Sequence, residues 1–94
     1  MECHAQNQVI AGRAENISLG GVLMRTAQTL PWDEMVTLSF LFPGSTEAVQ
    51  VKARVANVVV DVFMGLEFLE LPPQVRARIE QFLSHNPDGS PQRS

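Results

Sequence analysis

Asn16-Ile17-Ser18-Leu19-Gly20-Gly21 places an amide, a hydroxyl and a pair of glycines just before an apolar run, Val22-Leu23-Met24, that reads as a strand. Two chemistries fit those residue types. One is an ordinary turn, in which Asn and Ser side chains bond local backbone and the glycines supply positive φ. The other is half of a ligand site. Taken alone, the six residues read as a turn.

The remaining candidates for chemistry are weaker. Cys3 and His4 are adjacent and His85 is distant, which is not the spacing of a four-ligand zinc site. Neighbouring strand residues point to opposite faces, so Cys3 and His4 do not make a nucleophile–base pair. Asp33-Glu34 falls in a turn, and Glu67 and Glu70 flank a strand end; all four read as solvated surface. Asn16-Ile17-Ser18 also fits the glycosylation acceptor pattern, which has no bearing without a secretory signal. There is no phosphate-binding glycine loop, hydrolase elbow or dinucleotide fingerprint. The chain is expected not to be an enzyme and to need no metal or cofactor.

Composition bounds the partners. The 94 residues make one domain. Apolar residues at 45% and charged residues at 18% are the proportions of a folded globular chain. A net charge of −3 argues against DNA or RNA binding, which needs a basic face. It leaves room for a small anionic ligand, which needs only two or three well-placed cations. No apolar run approaches the ~20 residues that span a bilayer, so membrane insertion is not expected. The first ten residues lack the charge and apolar core of a signal peptide. A single cysteine excludes an internal disulfide and fits a reducing cytoplasm.

The elements that must position Asn16, Ser18 and Gly21 are mostly strands. Val49, Val51, Ala53 and Val55 alternate with Gln50, Lys52 and Arg54, and Val36, Leu38, Phe40 and Phe42 alternate with Thr37, Ser39 and Leu41. These predict strands over 36–42 and 49–60. A further strand is read over 63–71, with Gly65 inside it as a bulge or a close approach. Residues 3–10 and 11–17 read as two more, joined or merged around Gly12. Gly20-Gly21, the Leu30-Pro31-Trp32 stretch, Pro43-Gly44 and Asp61-Val62 mark the turns. Five or six short antiparallel strands point to a small barrel or sandwich. One helix follows from about 73 to 85: Pro73 suits its first turn, and Val75, Ile79, Phe82 and Leu83 form one apolar stripe. Residues 86–94 read as a disordered tail. Trp32, in a turn, is the one large aromatic expected near the surface.

In this order the elements resemble a PilZ domain. That family carries a [D/N]-x-S-x-x-G motif, met here by Asn16, Ser18 and Gly21. The Leu30-Pro31 turn, a strand ending at Pro43-Gly44, a long strand, a closing strand with Met64-Gly65-Leu66-Glu67-Phe68 and a proline-started helix complete the likeness over roughly residues 8–84. The resemblance implies a mainly β fold, a six-stranded antiparallel barrel with one C-terminal helix, spanning residues 1–85. It implies a regulatory module of bacterial cyclic di-GMP signalling, with Asn16 and Ser18 bonding a guanine or its surroundings and Gly21 letting the backbone turn close to the ligand. Arg13 is a further candidate contact.

The likeness is incomplete. The family's second motif, R-x-x-x-R in a loop before the first strand, supplies arginines that stack on guanine and clasp phosphate. Fifteen residues precede Asn16, and Arg13 is the only arginine among them. The chain is cut, or its natural start lies after that loop, or it is a variant that never had the pair. Arg25 and Arg54 substitute only if they face the same surface. Two functions follow: a cyclic di-GMP module whose own binding is weak or absent, and a divergent PilZ adaptor that binds a protein partner, such as part of a motility or pilus system.

Overall fold

The computed structural model describes residues 1–90. It contains strands β1 (Glu2–Ala5), β2 (Gln8–Ala11), β3 (Arg13–Ile17), β4 (Gly21–Arg25), β5 (Met35–Phe40), β6 (Val49–Val59) and β7 (Phe63–Glu70), then helix α1 (Pro73–His85). All the strands join one antiparallel sheet in the order β2-β1-β5-β6-β7-β4-β3.

The two ends of that order, β2 and β3, are consecutive in the chain and separated by Gly12 alone. The sheet therefore curls until its edges are joined through one residue. A Cβ on Gly12 would lie 2.6 Å from the Arg25 carbonyl oxygen and 2.6 Å from Met24 Cε, so only glycine fits the bend. Read as one bent strand, β2 and β3 give the expected six. Read by their partners they are separate, β2 on β1 and β3 on β4, and the count is seven. Buried Thr26 helps close the seam, with its Oγ1 3.2 Å from the Ala11 carbonyl oxygen.

The start of the chain departs from expectation. Residues 3–10 are not one strand: Gln6 and Asn7 turn the chain, and Cys3 pairs with Ile10 and Ala5 with Gln8 across a hairpin. Both Cys3 and Ile10 point inward and are buried. A Gln-Asn-Gln turn lacks the Gly or Pro that would have marked it.

Alternation in β5 and β6 holds. Val36, Leu38 and Phe40 face Ala53, Val51 and Val49 inside the curl, while Thr37, Lys52 and Arg54 point out. The register of β6 on β7 shifts between Val55 and Asn57, after which Val58 is only partly buried against the core and Val59 and Val60 are exposed. Helix α1 closes the open end of the curl with the apolar stripe read from the sequence. Ile79 is fully buried, Val75 and Phe82 nearly so, and the Phe82 ring lies 5.6 Å from that of Phe42. Burying three such side chains contributes roughly 5–8 kcal/mol before the entropy of ordering is counted.

Residues 86–90, read from composition as part of a disordered tail, run through a turn. The Asn86 amide bonds the Phe82 carbonyl at the end of α1, and the Gly89 amide bonds the Asn86 carbonyl at 2.8 Å. Residues 91–94, the rest of that tail, lie outside the described residues.

Candidate functional site

The N-x-S-x-x-G run spans the end of β3 and the start of β4. The register of β3 on β4 shifts between Ala14 and Asn16, so a bulge re-aims the side chain that follows it. Asn16 is exposed there, opposite Leu23. The connection is tight: the Ser18 amide bonds the Gly21 carbonyl at 2.8 Å. Ser18 Oγ accepts from the Gly20 and Gly21 amides at 3.2 and 3.3 Å. The hydroxyl thus already serves the local backbone, as a turn serine does.

The glycines act differently from expectation. Positive φ in glycine is confined to Gly44 and Gly89 among the described residues, so neither Gly20 nor Gly21 supplies it. What Gly21 supplies is close approach. It pairs with Glu67 across β4 and β7, and a Cβ there would run into the Leu66 carbonyl oxygen. The neighbouring Gly20 carbonyl accepts from the Phe68 amide at 2.9 Å. Gly21 thereby sets β4 against β7, which brings the motif beside residues more than 30 positions away in sequence.

Asn16, Ser18 and Gly21 line one shallow concavity of about 330 Å³ with Asn57, Gly65 and Glu67. The structure brings Asn16, Ser18 and Gly21 together and adds those three. Gly65 and Glu67 had read as a strand glycine and solvated surface. Only the register of β7 between β4 and β6 discloses that they share a surface with Asn16.

The electrostatics of the concavity are those of an acceptor. Glu67 is the one charged residue lining it, and no Lys or Arg among the described residues does so. Arg54, opposite Glu67 in the register, donates to Glu67 Oε1 from Nη2 at 3.0 Å and from Nε at 3.2 Å, and to Asp33 Oδ1 from Nη1 at 2.9 Å. The hydrogen bonds it donates to Asp33 and then to Glu67 hold its guanidinium charged beyond its ordinary range. Arg25 donates from Nε to Glu15 Oε1 at 2.5 Å. Arg13, the arginine nearest in sequence, lies elsewhere: it lines a cavity of about 610 Å³ with Met1, Phe40, Leu41 and Phe82. The structure does not bring Arg13 to the concavity that holds Asn16, Ser18 and Gly21.

The other candidates stay apart. Cys3 is buried and His4 faces outward, 3.1 Å from Glu2. Burial, and secondarily the Glu34 charge, pushes the Cys3 thiol up to about 11, which makes it a poor nucleophile. Among the described residues no cluster of three His, Cys, Asp or Glu is placed to hold a metal.

The family model for the PilZ domain matches residues 1–85, nine-tenths of the chain. The chain belongs to the PilZ domain family. PilZ domains are regulatory and receptor modules of cyclic di-GMP signalling rather than enzymes, and they often act on protein partners. The curled antiparallel sheet with one C-terminal helix is the PilZ architecture implied by the sequence. No curated protein and no solved structure matches this PilZ chain. No helix among its described residues is long and apolar enough to cross a membrane.

Proposed function

We propose that this PilZ domain is a cyclic di-GMP signalling module that presents the N-x-S-x-x-G half of the ligand site and, over these 94 residues, binds the ligand weakly or not at all. The observation that carries the reading is the charge of the concavity. The ligand brings two phosphates, and among the described residues the surface beside Asn16, Ser18 and Gly21 offers Glu67 and no cation. Arg25 and Arg54, the arginines named above as substitutes, are engaged by Glu15 and by Asp33 with Glu67.

The size of the deficit follows from two arginines. A charge-assisted hydrogen bond contributes roughly 1.5–3 kcal/mol. Stacking a base on a planar side chain contributes about 1–3 kcal/mol. Without the pair, on the order of 4 kcal/mol is missing, about a thousandfold in affinity. An extension bearing R-x-x-x-R before Met1 supplies the missing groups and should restore binding, and Asn16→Ala in the extended chain should weaken it again. An extended chain that binds no better than the present one would overturn the half-site reading.

A second reading, a PilZ adaptor for a protein partner, is favoured by Trp32. The indole is 68% exposed, and Met35, at the start of β5, is 62% exposed. The turn that presents it is held rigidly. The Asp33 amide bonds the Val55 carbonyl at 2.7 Å, the Val55 amide bonds the Glu34 carbonyl at 2.9 Å, and Asp33 takes a left-handed φ of 73° while gripping Arg54. An aromatic held in solvent on a stiff turn has the character of an interface anchor.

A further inference from the structure

We infer that residues 86–90 form a strap that latches the Asn16 amide, so that the PilZ motif becomes available to a ligand only when the strap lets go. The inference rests on the reading that Asn16 belongs to a ligand site. The contacts that carry it are these. Asn16 Nδ2 donates to the Asp88 carbonyl at 2.6 Å, across 72 positions of sequence. The next residue, Ile17, donates its backbone amide to the Gly89 carbonyl at 2.7 Å.

The strap is a built turn. Asn86 Nδ2 and its backbone amide both bond the Phe82 carbonyl, which ends α1. The Gly89 amide closes a four-residue turn on the Asn86 carbonyl, with Pro87 at the position a type I turn favours. Asp88 Oδ1 then accepts the Ser90 amide at 3.1 Å. Gly89 is buried at the point of contact and takes a φ of 73°; a Cβ there would meet the Ile17 carbonyl oxygen. Both conditions select glycine.

The latch is weak enough to open. Two hydrogen bonds at ordinary net worth favour the closed form by a factor of roughly 10–100. The site it restrains is the one residue of the motif whose side chain is not already committed to its own turn, since Ser18 Oγ serves the Gly20 and Gly21 amides. A ligand that needs the Asn16 donor must displace the Asp88 carbonyl, and its apparent affinity is reduced by the closed-to-open ratio. Conversely, a bound ligand would free residues 86–90 at the end of α1.

The test uses the full 94-residue chain and two measurements. Gly89→Ala puts a Cβ into Ile17 and strains a left-handed residue. Gly89→Asn tolerates the left-handed backbone but keeps the Cβ. Gly44→Ala is the control, a positive-φ glycine with open space around it. Amide hydrogen exchange should show the Ile17 amide exchanging at least tenfold faster in both Gly89 variants, with the α1 amides and the Gly44→Ala protein unchanged. Equal Ile17 protection in all proteins, or loss of protection throughout α1, overturns the strap. Titration with cyclic di-GMP followed by chemical shifts should then show both Gly89 variants binding roughly 10–100-fold more tightly than the parent. Binding of equal strength refutes the gating. Absence of binding in every protein at millimolar ligand refutes the gating, while the R-x-x-x-R extension with Asn16→Ala tests the ligand reading of Asn16 separately and the exchange data decide whether the strap exists.

Discussion

Gly20 and Gly21 are chemically identical neighbours with different duties. A Cβ on Gly20 would find its nearest contact at 3.9 Å, on Ser18 Oγ, whereas a Cβ on Gly21 would enter the Leu66 carbonyl. Gly21→Ala should therefore destabilise by about 1–3 kcal/mol in urea unfolding, and Gly20→Ala by no more than about 1 kcal/mol; equal effects would mean that β4 and β7 are not held together as described. Cys3 offers a second test. Its thiol is pushed up to about 11 from an ordinary value near 9.0. Between those two values the unfolded chain loses a proton that the folded chain keeps. Stability should be unaffected below pH 9 and should fall as pH rises toward 11, at up to roughly 1.4 kcal/mol per unit. Cys3→Ala should flatten that decline, and an unchanged slope in the variant would assign it to other groups. At this scale the sequence disclosed which residues make the motif, because residue type carries hydrogen-bonding capacity. It did not disclose what Gly21 is for, because its neighbour Leu66 is 45 positions away and becomes a neighbour only through strand register.

Elements were legible in proportion to their periodicity. β5, β6 as far as Val55, and α1 each carry an uninterrupted pattern, and their buried faces are the ones that pattern names. β1 and β2 escaped because Gln6-Asn7 is a turn without glycine or proline, and because each strand is only four residues long. The bend at Gly12 was visible as a glycine between two strands, but its consequence, one strand serving both edges of the sheet, is a property of closure. Residues 86–90 have the composition of a tail and the hydrogen bonds of a turn; Asn, Pro, Asp, Gly and Ser serve equally in both. The helix gives the most direct test of packing at this scale. Ile79 is fully buried against the barrel, so Ile79→Asp places an unpaired carboxylate in an apolar seam. The expected loss is at least about 3 kcal/mol in denaturant unfolding, and a variant that unfolds at the parent's midpoint would show that α1 is not docked on the sheet.

The whole molecule joins a PilZ fold to an electrostatic character at odds with an anionic ligand. The net charge is −3, and the surface beside the motif carries Glu67. Neither long-range attraction nor a local cation among the described residues helps a bis-phosphate to bind. Arginines were visible in the sequence, but their availability was not: Arg25 and Arg54 face carboxylates set opposite or nearby by strand pairing, and Arg13 lies in another cavity. Low ionic strength favours any charge-driven binding that remains. The account is therefore tested most directly by titration calorimetry of cyclic di-GMP into this 94-residue chain at low salt. It predicts no binding tighter than about millimolar, the level to which a micromolar site falls when it lacks two arginines. Low-micromolar binding would contradict it, and would mean that Arg25 or Arg54 leaves its carboxylate partner to clasp the phosphates.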